Sequence, residues 1–338
     1  MKHPLVILIN DKISKSENSL FGENLDSKSI PEGLSKNFQV ELIGRSSSVP
    51  RPHEIKIKNI NKCSNIFHYL FIVIKTVFKK NKYLIISISP STFLSAILLF
   101  LFGKKPFLYL RSDGFEEYKK KLGILGQFIY RILFYTLSLR CELISCNRVI
   151  LRGKKGSVVS PSQLNTFWFK NFSKPNFKKI NLLYVGRMKV EKGIFNLIEI
   201  LNKIEIDFNL KILPGGDSKK IDIKNKKIQI IEFDNVDHEM MTKIYDDTSI
   251  FILPSYTEGH PQVLDEALSR RRPVIIFEDI KHIVENRTGI FVSERRPESL
   301  LENIKFISQN NETIFNDMEK NNLPTKDNFI KQMVKIIN

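Results

Sequence analysis

The stretch PSYTEGHPQVLDEALSRRRPVI (Pro254–Ile275) carries two glutamates, Glu258 and Glu266, eight positions apart, with Gly259, His260 and Pro261 directly after the first. Pro261 suits the first turn of a helix, where its missing N–H costs nothing. Gly259 permits an unusual backbone angle and the close approach of a ligand. The first-turn N–H groups of Gln262, Val263 and Leu264 then sit at the positive end of the helix dipole, which favours an anion. Val263, Leu264, Ala267 and Leu268 form the buried face. Glu266 lies one turn after Gln262 on the same side, and its side chain tilts back towards the helix start. A carboxylate there would repel a phosphate in contact, but it suits a neighbouring diol such as a ribose. Glu258, just before the helix, is placed to hold sugar hydroxyls.

A second set of charges lies upstream in YVGRMKVEKGIFNLI. Arg187 follows an expected strand and Lys192 precedes an expected helix, with Gly186 and Gly193 giving the backbone room. Two cations at such a turn can neutralise a diphosphate leaving group. Each alone reads as an ordinary solvated loop. Together with the helix start at Pro261 they suit an anion site at strand ends.

The elements that must position these residues alternate between strand and helix. In the first half, PLVILIN, FQVELIG, YLIISIS, PFLYLRS, CELISC and GSVVSPS read as strands. NIFHYLFIVIKTVFKKNK, TFLSAILLFLFGKK and ILGQFIYRILFYTLSL read as helices. The polar, aromatic stretch Asn165–Lys179 reads as a linker, after which the pattern restarts. INLLYVG, FNLKILPGG, KIQIIEF, SIFILPS, RPVIIF and TGIFVS are strands; IFNLIEILNKI and DHEMMTKIYDDT are helices, the second with Asp237 to cap it. Strands alternating with helices imply two doubly wound α/β domains, with ligands at the carboxyl ends of the strands in a cleft where the halves face each other. The expected division is 1–170, 171–315 and a C-terminal helical segment 316–338 that crosses back to the first domain.

The chain of 338 residues carries a formal net charge of +17, unevenly spread. Residues 1–178 hold 29 Lys and Arg against 11 Asp and Glu, whereas residues 179–338 hold 24 against 25. Such a first half prefers an anionic partner. Nucleic acid is not expected, because no basic–aromatic stacking motif is present. Two basic, apolar segments there suit either docking on an anionic membrane or burial as core helices with snorkelling ends. The run Tyr83–Phe102 is as long as a membrane span, but Pro90 and its serines split it into a buried strand and a buried helix. Cys63, Cys141 and Cys146 form neither a disulfide framework nor a zinc site. With no leader-like segment the expected location is cytoplasmic, peripheral on the inner membrane face if docking occurs.

Three motifs in order, VGRMKVEKG, VDHEMMTKIYDDTSIFILPS and EGHPQVLDEAL…RPVI, resemble the retaining nucleotide-sugar glycosyltransferases of family 4, whose fold is GT-B: two Rossmann-like domains facing a central cleft. The last motif is that family's Glu-x7-Glu signature. The likeness covers residues 180–292 well and the first half only by pattern. It implies that Arg187 and Lys192 contact the donor diphosphate, that Glu258 holds the donor sugar and Glu266 the ribose, and that the backbone from Gly259 to Leu264 completes the phosphate site. Gly215 and Gly216 fall where the family has a glycine-rich turn beside the nucleotide. It further implies transfer with retention to an acceptor hydroxyl, in envelope or capsule polysaccharide assembly; the acceptor is a sugar, or a lipid-linked saccharide if the first half docks on a membrane.

The chain departs from the family at three places. Arg271, between Arg270 and Arg272, stands where the family usually has glycine. NDKISKSENS replaces a glycine-rich loop after the first strand. LRSDGFEE lacks the family's histidine, so Arg111, Ser112 or Asp113 must fill that role, and Asp113 serves either as a catalytic group or as a turn-capping residue before Gly114. No Asp-x-Asp is present to carry a divalent metal, so the expected transfer is metal-independent, with no cofactor beyond the donor. The alternatives are a GT-B sugar-nucleotide epimerase and a basic nucleic-acid- or membrane-binding protein without catalysis.

Overall fold

The computed structural model describes residues 2–214, 228–230 and 238–338. The chain divides into two compact units: Met1–Pro161 with Lys326–Asn338, and Ser162–Thr325.

In the first unit the strands are β1 (His3–Ser16), β2 (Ser19–Gly22), β3 (Phe38–Ser46), β4 (His53–Glu54), β5 (Asn59–Cys63), β6 (Lys82–Ile86), β7 (Phe107–Leu110), β8 (Glu142–Ser145) and β9 (Gly156–Val158). Seven of them run parallel in the order β5-β3-β1-β6-β7-β8-β9. Side chains alternate along β1: Leu5, Ile7 and Ile9 enter one core, Val6 and Leu8 the other. The second of these cores is closed by α2 (Ile66–Val77), α3 (Pro90–Leu101) and α4 (Gly114–Ser138). The first is closed by α1 (Leu25–Leu34) and by the C-terminal helix Lys326–Ile337, through Phe329, Ile330, Met333 and Ile337. Helix starts carry side-chain caps where the sequence allows them: Asn65 accepts from His68 N, and Ser89 with Thr92 forms a capping box. NDKISKSENS is not a loop. β1 continues through it to Ser16 and turns back antiparallel as β2.

The second unit holds a six-stranded parallel sheet of β10 (Ile180–Gly186), β11 (Phe208–Pro214), β12 (Ile228–Ile230), β13 (Ile250–Leu253), β14 (Val274–Phe277) and β15 (Ile290–Ser293). Their order is β12-β11-β10-β13-β14-β15. Counted along the chain this is 3-2-1-4-5-6, the doubly wound order that reverses between the first and fourth strands. The helices are α5 (Ile194–Leu201), α6 (His238–Asp246), α7 (Gln262–Ser269), α8 (Pro297–Gln309) and α9 (Asn311–Asp317). α10 is the Lys326–Ile337 helix of the first unit.

The segment expected as a linker belongs to the second unit from Ser162 onward, not from residue 171. Trp168 is buried in that unit's core and meets Tyr245 edge-on, which draws the preceding residues in. The helix expected to be fully buried after Pro90 also differs: Leu94 and Leu101 of α3 face outward. Among the described residues, no helix is long and apolar enough to cross a membrane.

Candidate donor site in the second unit

The doubly wound order reverses between β10 and β13, and the loops leaving these two strands carry the charged residues singled out by the sequence. The two loops are clasped. Tyr256 N donates to Glu191 O at 3.1 Å. Gly193 has φ 68°, and a Cβ on it would stand 1.9 Å from Pro254 O, so only glycine fits there. Lys192 Nζ lies 2.6 Å from Glu258 Oε1, and the Ser255 hydroxyl donates to the same oxygen at 2.7 Å. Both bonds fall on Oε1, which leaves Oε2 to accept from a ligand hydroxyl. The Arg187 guanidinium is exposed and makes no hydrogen bond or ion pair among the described residues. Its carbonyl accepts from Tyr184 O–H at 2.8 Å, which fixes the turn after Gly186.

Pro261 precedes α7 as its N-cap residue, with φ −76° and ψ 113°, rather than forming the first helical turn. Among the described residues, the glycines with positive φ beside this site are Gly186 and Gly193; Gly259 is not among them. Leu264, Ala267 and Leu268 are buried and Val263 packs at the margin of the core. Gln262 Oε1 accepts from Gln163 N at 3.1 Å. Glu266 Oε2 accepts from Tyr245 O–H at 2.9 Å. Burial pushes the Glu266 carboxyl up to about 7, against the lowering effect of the Tyr245 bond. Gly215 and Gly216, and the expected cap Asp237, lie outside the described residues.

Two further groups shape the site and escaped sequence reasoning. Asp265 is fully buried, with Oδ2 2.9 Å from His260 Nε2 and Oδ1 2.8 Å from Arg287 Nη1. It therefore ties the residue before Pro261 to a distant loop. Arg295 donates to the carbonyls of Pro254 and Ser255 and stacks on Tyr256, with its guanidinium carbon 3.8 Å from the ring centroid. No local spacing signals either link, because the partners lie 22 and about 40 residues apart.

The arginine run has a structural role. Arg270 and Arg272 are buried and share Asp246, and Arg270 also donates to the carbonyls of Trp168, Lys170 and Asn171. Arg271 has φ 52°, a left-handed conformation that explains why glycine suits this position. Its side chain instead stacks on Phe172 and Phe315 and pairs with Glu319.

Asp113 lies in the first unit. Its Oδ1 accepts from Phe115 N as the cap of α4, and its Oδ2 pairs with Arg152 at 2.7 Å. Both oxygens are thus held by the helix and by Arg152, the arrangement of a capping aspartate. Arg111 pairs with Asp11 at 3.1 Å. Burial raises the Asp11 carboxyl, but Arg111 and hydrogen bonds from Asn24 and Ser27 outweigh it and hold the group below its usual value. Among the described residues, no group of three or more His, Cys, Asp or Glu side chains is placed to hold a metal ion.

Residues 179–310 match the family model described as glycosyl transferases group 1. A protein of Haemophilus influenzae described as an uncharacterized glycosyltransferase is 30% identical over 149 residues, which is 41% of this chain and 42% of that protein. The putative teichuronic acid biosynthesis glycosyltransferase TuaC of Bacillus subtilis is 36% identical over 93 residues, 28% of this chain and 23% of its own length. The chain thus spans less than half the length of the curated relatives it matches. Among solved structures, Anabaena HepE in complex with UDP and glucose superposes with a TM-score of 0.71 at 10% identity, covering 99% of both chains. Sucrose-phosphate synthase from Thermosynechococcus elongatus gives 0.69 at 17% identity, covering 99% of this chain and 95% of that one. The fold is that of the GT-B glycosyltransferases, with two Rossmann-like α/β domains. The matched segment contains every candidate donor-site residue from Gly186 to Glu266.

Proposed function

We propose that the protein is a glycosyltransferase that moves a sugar from a nucleotide-diphosphate sugar to an acceptor hydroxyl. The observation that carries this reading is the Lys192–Glu258 pair at the point where the strand order reverses, beside the exposed Arg187. In this reading Arg187 and Lys192 neutralise the diphosphate as it leaves, and the α7 N-terminus adds its dipole. Glu258 accepts from the donor sugar through Oε2, and Glu266 accepts from the ribose. These charges do the work often given to a divalent metal, so the transfer is metal-independent. Among the described residues no carboxylate is assigned as a covalent nucleophile, so we assign retention to same-face attack, with the leaving phosphate taking the acceptor proton. The acceptor is a sugar or lipid-linked saccharide, and the reaction serves envelope polysaccharide assembly at the cytoplasmic face of the membrane. The group 1 match and the curated relatives support transfer over the epimerase reading.

The test is product analysis with the binding nucleotide sugar and an acceptor series, in buffer with EDTA. A glycoside of retained configuration is expected. Epimerised donor formed without acceptor would replace this reading with the epimerase.

A further inference from the structure

Helices α2, α3 and α4 each fill the first unit's core with one side, through Tyr69, Val73, Ala96, Leu99, Phe134 and Leu137. Their outer sides are apolar as well. Phe67, Phe78, Leu101, Ile124 and Leu139 are each more than three-quarters exposed, and Phe71, Phe128 and Ile132 are more than half exposed. A helix that is apolar all round is ordinarily buried. These three are covered on one side only, and a concentration of exposed apolar side chains of this kind marks an interaction site.

The three helices also end together. Phe78 meets Phe102 with ring centroids 5.5 Å apart, Lys104 Nζ donates to Lys79 O, and Arg140 Nη1 donates to Phe100 O. Lys79, Lys80, Lys104, Lys105 and Arg140 therefore surround the exposed Phe78, Leu101 and Leu139. Cations at helix C-termini satisfy the dipole, but that role does not require phenylalanine and leucine in water between them.

We propose that this face of the first unit docks on an anionic lipid bilayer, with the apolar side chains entering the acyl boundary and the lysines meeting the headgroups. The alternative occupant, a second copy of the chain, is disfavoured by charge: the surround of this patch is basic, and an isologous contact would set like charges against each other. An anionic surface complements both the apolar centre and the cationic surround. The proposal rests on the surface alone and is independent of the transfer chemistry.

The test is flotation of the full chain with vesicles of phosphatidylcholine alone and of equal parts phosphatidylcholine and phosphatidylglycerol. Binding is expected only to the anionic vesicles, and it weakens as salt rises. Replacing Lys79, Lys80, Lys104 and Lys105 with serine lowers binding by roughly five-fold per lysine. The Phe78→Ser, Leu101→Ser, Leu139→Ser variant weakens binding and leaves the salt dependence unchanged. An environment-sensitive dye on Leu101→Cys shifts to the blue on anionic vesicles, and this reading does not depend on the multiple variants folding. No binding to anionic vesicles, binding unaffected by either variant with no dye shift, or a stable dimer that the serine variant dissociates would overturn the proposal.

Discussion

Lys192 Nζ lies 2.6 Å from Glu258 Oε1, although 66 residues separate the two and they follow different strands. The pair is brought together because β10 and β13 are neighbours at the reversal of strand order. Both side chains are largely withdrawn from water, at 22% and 11% exposure, so neither charge is solvated well without the other. Lys192→Met therefore leaves Glu258 uncompensated. We expect kcat to fall roughly 100-fold to 1,000-fold, as for loss of one preorganised charge-stabilising group. Steady-state kinetics with a nucleotide sugar measure this, and a fall confined to KM would assign Lys192 to uniform binding instead.

Asp265 predicts a stability effect. Asp265→Asn removes a fully buried charge from between His260 and Arg287, and the cost should be about 3 kcal/mol. Urea unfolding reads this directly. A loss below about 0.5 kcal/mol, the size of a neutral surface change, would mean that the pair does not brace the loop.

Gly193→Ala should be at least as severe. It combines a left-handed φ with a clash against Pro254 O, and the two clasped loops must separate to admit the methyl group. Donor affinity and Tm should fall together. Gly103→Ala, which also has positive φ but open space around it, serves as the control with strain alone.

Glu266 sets a pH dependence. Its folded value of about 7 lies above the ordinary 4.5, so the unfolded chain ionises first and folding stability falls as pH rises through that window. Donor binding runs the opposite way. A ribose hydroxyl bound to the carboxylate favours the ionised form, so affinity for a nucleotide sugar weakens by up to about tenfold per unit as pH drops below 7. Calorimetric titration at several pH values tests this, with Glu266→Gln expected to flatten the profile. A nucleotide sugar is the suitable probe because its diphosphate does not titrate in this range.

The α/β alternation was legible because strands such as INLLYVG and SIFILPS are short, apolar and bounded by polar turns. The motif around Glu258 and Glu266 was legible because both acids attach to one helix start. The extension of β1 to Ser16 was hidden by polar, charged residues that read as a loop and are instead paired with β2. The Asp265–Arg287 link, the Arg295 staple and the anchoring of residues 168–171 by Arg270 join segments far apart in the chain, and no local period encodes them. The amphipathic patterns of α2 and α4 showed apolar residues on more than one side, but burial and exposure of a second apolar face give the same sequence.

The most direct measurement is a thermal-shift panel of UDP-, GDP- and ADP-sugars on the wild-type protein and Arg187→Ala, each with and without EDTA. A ligand that binds only the folded state stabilises it by about 2.7 kcal/mol at a hundredfold excess over Kd. One nucleotide should raise Tm, EDTA should leave the shift intact, and Arg187→Ala should remove it. No shift with any donor, or a shift that Arg187→Ala leaves unchanged, would contradict the assignment of the second unit as a nucleotide-sugar site.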